Sequence, residues 1–195
     1  SVLLELAQMT GKQKFQSAAI AAINYERSHF SPEAGNWLDL RNPAQNQLMT
    51  AWCHGAPGIG LGRLHALKYL DDPEINQEIA IAIHTTINQG FGDNQCLCHG
   101  DLGNLDLLLL AFQILNQPEL ISHTSPITNQ VLRQIHQHNF YCGVPLAIET
   151  PGLMTGLAGI GYGCLRLAHP EKIPSVLLLE PPHINSQSLH PCIST

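Results

Sequence analysis

The sequence predicts an all-α fold made of repeated helical hairpins. Three segments share a Gly-x-x-Gly pattern followed by an apolar run, and they start at Gly55, Gly100 and Gly156. These glycines are 45 and 56 positions apart, a spacing typical of helical-repeat proteins. We expect each apolar run to form an inner helix. More polar outer helices are expected in the amphipathic stretches between them, at about residues 12–28, 73–89 and 127–137.

Local signals indicate where these elements begin and end. Pro73 suits the first turn of a helix, where its missing N–H costs nothing, so an outer helix is expected to begin there. Glycine at the start of each inner helix allows close approach of neighbouring backbones. The glycine and proline content predicts loops at residues 30–49 and 141–151.

The chain begins inside the same repeat frame. Aligning Leu3 with Leu64 places the Gly-x-x-Gly of this repeat just upstream of Ser1. Ser1 leads directly into an apolar run without the polar cap that normally starts a helix, so we expect an N-terminally truncated chain. We expect one domain over residues 1–182 and an irregular tail over residues 183–195, where no periodic pattern is present.

Composition excludes several classes of function. Charged residues make up 12% of the chain, about half the share of an ordinary soluble domain, which favours a chain that buries most of its helices. The net charge is −6 and the nine lysines and arginines are scattered, so no nucleic-acid partner is expected. Without a run of about 18 apolar residues or a charged-then-apolar leader, we expect no membrane span and a cytoplasmic location.

The six cysteines favour metal binding over a disulfide framework. The chain is too long and too rich in leucine and isoleucine for a disulfide scaffold, and nothing marks it as secreted. In a reducing compartment, a Cys-x-Cys-His cluster such as residues 96–99 is better explained as metal-binding.

Cys53, Cys98 and His99 are the candidate metal ligands. Each precedes the glycine that opens an inner helix, and a helix N-terminus favours thiolate over thiol. Two thiolates and one imidazole leave a fourth tetrahedral position free, as in catalytic zinc sites. The simpler explanation is that these cysteines are small buried residues. Their occurrence at one register of two repeats favours ligands, and the third repeat has Met154-Thr155 there.

Other residues of the same type compete for these roles. Cys96 lies two residues before Cys98 and can replace or join it, and His54 can take the open position. Both are more simply neighbours than ligands. The remaining cysteines are interpreted as two core residues and one tail residue, in the order Cys142, Cys164 and Cys192.

Two motifs carry a resemblance to a known family. Residues 52–58 read Trp-Cys-His-Gly-Ala-Pro-Gly, and residues 98–104 read Cys-His-Gly-Asp-Leu-Gly-Asn. In this order they resemble the zinc-binding signatures of the lanthionine synthetase C-like cyclase family. The segments 25–27, 36–41, 155–163 and 174–180 look like the C-terminal cyclase domain of the class II, bifunctional lanthipeptide synthetases. The resemblance extends from Ser1 to about residue 182.

The resemblance implies a partial α/α toroid, about half of a ring of helical hairpins, with Zn²⁺ held by Cys53, Cys98 and His99. It implies a cyclase that adds a cysteine thiolate of a precursor peptide to dehydroalanine or dehydrobutyrine, which forms (methyl)lanthionine rings. The family's general-acid histidine would lie upstream of Ser1, as would the dehydratase part of the polypeptide. We therefore expect this piece alone to be weakly active or inactive.

Five further residues are candidates for supporting roles. Asp101 can orient His99 or nearby backbone in the shell behind the ligands, or it is simply a first-turn carboxylate on a helix dipole. His54 is a neighbour of the ligands and a conceivable substitute for the missing acid. Trp37, Asp39 and Arg41 can line a peptide entrance, or their loop is merely pinned by a buried tryptophan.

Other functions remain open on the sequence alone. The chain can be a non-catalytic zinc-binding fragment, or a helical-repeat peptide-binding scaffold that lacks the catalytic acid. Other enzymes with an α/α toroid are disfavoured. The zinc sites of prenyltransferases resemble an Asp-Cys-His set, and glycosidases need a pair of carboxylates. Neither pattern is found here.

Overall fold

The computed structural model describes residues 2–41, 47–138 and 140–181. Helices dominate this part of the chain, and the prediction of an all-α fold is confirmed. A pair of two-residue strands, β1 (Phe30–Ser31) and β2 (Asn36–Trp37), forms a short antiparallel hairpin inside the predicted loop 30–49. The helices are α1 (Val2–Thr10), α2 (Gln13–Arg27), α3 (Ala56–Ala66), α4 (Pro73–Gln89), α5 (Asp101–Leu115), α6 (Glu119–His138) and α7 (Leu157–Ala168).

Consecutive helices pack in pairs, and the apolar helices pack in series. Helix α1 contacts α2, α3 contacts α4, and α5 contacts α6, while α3, α5 and α7 follow one another and α4 also contacts α5. Helix α5 is buried around nearly its whole circumference over residues 101–111, as expected for a helix that is apolar on all sides. This alternation of inner and outer helices agrees with the sequence. Closure into a toroid remains a prediction.

The second glycine of each Gly-x-x-Gly pattern allows the preceding loop to pack directly against the helix. A Cβ atom on any of these three glycines would lie about 2 Å from a carbonyl oxygen six residues earlier, closer than side chains ever approach backbone. The loop before each inner helix is therefore held directly on the first helical turn. The three pairs are Gly58 with Trp52 (2.1 Å), Gly103 with Leu97 (1.9 Å) and Gly159 with Leu153 (1.8 Å).

Helix α6 is longer than the sequence predicts. It begins at Glu119 and runs through Pro126, whereas the expected stretch began after the proline. Proline removes one backbone hydrogen bond and crowds the preceding turn, which makes a helix end the usual expectation. Here tertiary packing outweighs the helix-breaking tendency of Pro126, because Leu120 and Val131 bury the two halves of α6 in the core.

Buried ion pairs join the helices away from the repeat starts. Arg166 of α7 pairs with Asp106 of α5, which also accepts a hydrogen bond from the Ser175 hydroxyl. Glu78 of α4 binds Arg63 of α3 at 2.7 Å. Because each charge is paired, burial of these groups costs less than it would for isolated charges. Among the described residues, no helix combines the length and the apolarity that crossing a bilayer requires.

Candidate metal centre

The loops that precede α3, α5 and α7 are tied together at equivalent positions. The backbone N–H of Cys53 donates to the carbonyl of Cys98 at 3.2 Å, and the N–H of Cys98 donates to the carbonyl of Met154 at 2.8 Å. Each of these residues lies two positions before the glycine that caps its helix. The hydrogen bonds therefore bring the starts of three apolar helices to one place.

Cys53, Cys98 and His99 meet at this place. Their sulfur and ring nitrogen atoms all lie within 4.8 Å of one another, and the three residues are half-buried. Ligands at about 2.0–2.3 Å from one zinc ion lie about 3.5–4 Å apart in a tetrahedral site. The donor set and its spacing thus fit a zinc ion with three protein ligands. Among the described residues, no other group of three such side chains is as close together.

The Cys98 thiol is protonated when no cation is present. Burial raises the pKa of Cys98 to about 11, and the adjacent Cys53 thiol adds to the effect. The Arg41 guanidinium lowers it by a smaller amount. A divalent cation reverses this preference, since a coordinating thiol is deprotonated outright.

His99 is held from behind by Cys96 and Gly143. The backbone N–H of His99 donates to the sulfur of Cys96 at 3.4 Å, and Cys96 is completely buried. A Cβ on Gly143 would lie 2.4 Å from the Cys96 sulfur and 2.8 Å from His99 Nε2. Glycine is therefore required at position 143 for the imidazole to keep its place. Sequence reasoning missed it, because nothing local distinguishes Gly143 from other loop glycines.

The other cysteines lie outside the cluster. Cys142 is buried beside Gly143, as the sequence predicts, and Cys164 is half-buried on α7, where burial raises its pKa. Cys192 falls outside the described residues. Cys96, a rival ligand on sequence grounds, does not belong to the group of three.

Asp101 contacts the loop that leads into the Cys98–His99 pair. One carboxylate oxygen accepts a hydrogen bond from the Gly92 backbone N–H at 2.9 Å. The other oxygen is buried and has no hydrogen-bond partner among the described residues. Burial raises the pKa of Asp101 to about 6, against the opposing effect of the Gly92 hydrogen bond. Its contact is thus with loop backbone, in the first turn of α5.

Asn36 fixes the start of α3 beside Cys53. Its side-chain oxygen accepts hydrogen bonds from the N–H groups of Ala56 and Trp37, both at 2.8 Å. Its side-chain nitrogen donates to the Met49 carbonyl at 3.2 Å and to the Thr50 hydroxyl at 3.1 Å. One buried asparagine therefore links strand β2, the Cys53 loop and the helix start. The sequence offered only its place in the 36–41 segment as a signal.

A groove of about 340 Å³ opens beside Cys53. Trp37, Arg41 and His54 line it together with Cys53, so two of the three predicted entrance residues reach this groove. The third, Asp39, is almost fully buried and pairs with Arg41. It also lies 3.5 Å from His54 Nδ1.

A second cavity of about 370 Å³ lies on the His99 side. His99, Asn94 and residues 141–145 line it. This loop is fixed to the ligand loop, because Gln95 N–H donates to the Tyr141 carbonyl at 3.0 Å and the Gln95 side chain accepts from Tyr141 N–H at 2.7 Å. One member of the cluster, Cys53, therefore lines the first groove, and another, His99, lines the second cavity.

Comparison with known proteins agrees with the site. Residues 1–178 match the family described as lanthionine synthetase C-like protein. The chain is 31% identical to the lacticin 481/lactococcin biosynthesis protein LcnDR2 of Lactococcus lactis subsp. lactis, an alignment that covers 88% of this chain and 20% of that protein. It is 26% identical to the glutathione S-transferase LANCL1 of Danio rerio, over 87% of this chain and 40% of that protein. The chain thus spans about a fifth and two fifths of these relatives, and it belongs to the lanthionine synthetase C-like family.

Proposed function

We propose that this chain is the zinc-binding part of a lanthipeptide cyclase. The observation that carries the proposal is the meeting of Cys53, Cys98 and His99 within 4.8 Å at the edge of an open groove. Two thiolates balance the charge of a divalent zinc ion, and the third ligand is neutral. A fourth position then remains for a ligand from outside the chain.

The chemistry requires a thiolate at neutral pH. When bound, zinc supplies this by lowering the pKa of a coordinated thiol. Cys53, Cys98 and His99 would hold the ion, with Gly143 packed against the imidazole and the Cys96 sulfur accepting the backbone N–H of His99. The groove beside Cys53 admits the peptide that carries the reacting cysteine.

The proposed substrate is a dehydrated precursor peptide. The lactococcal relative is named a lacticin 481/lactococcin biosynthesis protein, which favours a peptide over a small metabolite. Addition of the cysteine sulfur to a dehydroalanine or dehydrobutyrine of the same peptide gives a thioether ring. The proton that completes the reaction is proposed to come from a histidine upstream of Ser1, and a dehydratase part would prepare the peptide. Free cysteines at all five described positions fit the expected reducing cytoplasm.

The test combines metal analysis with a thiol-consumption assay. Two proteins are purified: this chain, and the longest polypeptide whose gene contains it. The zinc content of each is measured by mass spectrometry. A dehydrated peptide is then added. Ring closure leaves the peptide mass unchanged but removes a free thiol, so labelling by N-ethylmaleimide should fall with time. Absence of bound zinc, or undiminished labelling with the longer polypeptide, would refute the proposal.

A second candidate is activation of glutathione for conjugation. It is favoured by the similarity to a fish protein named glutathione S-transferase, since glutathione is itself a thiol that the open position can accept. The same purified protein is assayed with glutathione and an electrophile. Conjugation faster than peptide cyclisation would favour this reading. A chain that is stable without zinc and inactive in both assays would be the peptide-binding scaffold.

A further inference from the structure

We propose that Arg41, oriented by Asp39, binds the carbonyl oxygen of the dehydro residue and stabilises the enolate that forms when sulfur adds. This inference rests on the proposed cyclase function and assigns a residue to its addition step. Three features of the groove beside Cys53 support it. Asp39 holds the guanidinium of Arg41, Arg41 lines the same groove as the metal ligand Cys53, and the buried indole N–H of Trp37 has no partner among the described residues.

Asp39 fixes the guanidinium of Arg41 in one orientation. The carboxylate accepts hydrogen bonds from Arg41 Nε at 2.9 and 3.0 Å, from Nη2 at 2.5 Å and from the Arg41 backbone N–H at 3.0 Å. Arg41 holds the pKa of Asp39 at about 2, so the carboxylate stays ionised at every working pH. Asp39 is 3% exposed, whereas the Arg41 side chain is 63% exposed. A buried anion therefore presents a fixed cation to solvent.

This cation lies in the same groove as the metal ligand Cys53. The guanidinium is close enough to Cys53 and Cys98 to interact with both electrostatically. Arg41 Nη1 makes no hydrogen bond within the described part of the chain. A guanidinium has five N–H donors, and the contacts with Asp39 leave the Nη1 pair available.

Trp37 supplies a second unused donor in the same groove. Its indole Nε1 is buried and has no hydrogen-bond partner among the described residues, although Trp37 as a whole is 4% exposed. Buried donors without partners are rare, because each costs free energy. We therefore assign the substrate carbonyl oxygen to the solvent-open Arg41 Nη1 group, with Trp37 in the wall of the same groove.

The reaction creates negative charge where these donors lie. A sulfur lone pair forms the C–S bond at the β-carbon, and the π electrons of the alkene move toward the carbonyl, which becomes an enolate. A general acid then delivers a proton to the α-carbon, replacing the proton that the thiol lost. Charge develops on the oxygen only in the addition step. Fixed donors at that oxygen lower the barrier without tightening substrate binding equally.

The experiment measures cyclisation by the zinc-loaded, longest available polypeptide with Arg41→Ala, Arg41→Lys and Asp39→Asn substitutions. Removal of one such donor usually slows catalysis about 10²–10³-fold, and the exposure of Arg41 places the expected loss of kcat near 10²-fold. KM for the peptide and zinc content should change little. Arg41→Lys should keep part of the rate. Asp39→Asn should lower kcat less than Arg41→Ala, because the guanidinium is loosened but present.

Chemical rescue separates this role from a structural one. Added guanidinium ion should partly restore kcat of Arg41→Ala, since the side chain it replaces is open to solvent. Arg133→Ala, which removes an exposed arginine of α6, is the matched control and should keep wild-type kcat with no response to guanidinium. Wild-type kcat in Arg41→Ala, loss of its zinc, or absence of rescue would overturn the inference. A wild-type protein that binds zinc and fails to cyclise would instead refute the proposed function.

Discussion

The start of helix α7 has the same backbone arrangement as the start of α5, but different side chains occupy the two equivalent positions. Both helices are capped by glycine, and a Cβ on Gly103 or Gly159 would lie 1.9 or 1.8 Å from the carbonyl oxygen six residues earlier. Where α5 is preceded by Cys98 and His99, α7 is preceded by Met154 and Thr155. Met154 contributes only its carbonyl, which accepts the Cys98 N–H.

This difference separates what holds the fold from what carries the chemistry. The glycines and the close carbonyl contacts occur at the starts of α3, α5 and α7 alike, so they serve packing. The Cys98–His99 pair occurs only at the start of α5 among these three helices, and His99 lines an open cavity. The loop before α7 supports the loop before α5 through its backbone, because the Met154 carbonyl accepts the Cys98 N–H.

The largest expected effect comes from removing a ligand. Cys98→Ala should weaken zinc binding by about 3 kcal/mol, roughly one ligand's share of a site worth about 10–16 kcal/mol, or about 150-fold. Competition with a chromophoric chelator measures this change. Met154→Ala, at the equivalent position of the third repeat, should leave the affinity within about threefold of wild type. An equal loss of zinc affinity in both variants would contradict the claim that, of these two helix starts, only that of α5 provides ligands.

The next effect tests the support behind His99. Gly143→Ala places a methyl group 2.8 Å from His99 Nε2, so the imidazole must move. Loss of such orienting contacts typically weakens metal affinity about 10–100-fold. Gly62→Ala is the matched control, because a Cβ there meets nothing within 4 Å. Wild-type zinc affinity in Gly143→Ala would show that His99 is not positioned by this loop.

A smaller effect is expected at the helix start without ligands. Gly159→Ala forces a Cβ against the Leu153 carbonyl, where it would lie at 1.8 Å, and overpacking of this kind costs about 1–3 kcal/mol. Thermal unfolding should show a lower Tm, with zinc still bound in one equivalent per chain at saturation. Gly161→Ala, two residues later and free of contacts, should raise stability by about 0.5–1 kcal/mol. A stable Gly159→Ala would mean that the glycine frame is not needed for packing.

The smallest effect distinguishes Cys96 from Cys98. Cys96→Ala removes the sulfur that accepts the His99 N–H at 3.4 Å but leaves the group of three intact. Zinc affinity should fall about 2–13-fold, because a hydrogen bond of this type contributes about 0.5–1.5 kcal/mol. Chelator competition checks it alongside Cys98→Ala. A loss as large as that of Cys98→Ala would make Cys96 the ligand.

Local repetition made much of this arrangement predictable. The glycines at 55, 100 and 156 correctly placed the starts of three inner helices, and the shared register correctly brought Cys53 to the Cys98–His99 pair. A repeat places equivalent positions next to each other, so proximity follows from spacing.

Contacts made by single residues far apart in sequence could not be predicted in this way. Gly143 touches His99 from a loop some 40 positions later, and Asn36 reaches the start of α3 from a short strand. Neither position carries a period or a motif that identifies its partner. The groove is a similar case, since it depends on how the β hairpin folds over Cys53 rather than on any helical pattern.

The most direct test is X-ray absorption at the zinc edge, with and without an added thiol. We predict two sulfur ligands at about 2.3 Å and one imidazole nitrogen, with a third sulfur appearing when thiol is added. In Cys53→Ala the sulfur count should fall by one. A complete four-ligand protein shell that does not respond to thiol would contradict the open position on which the proposed function depends.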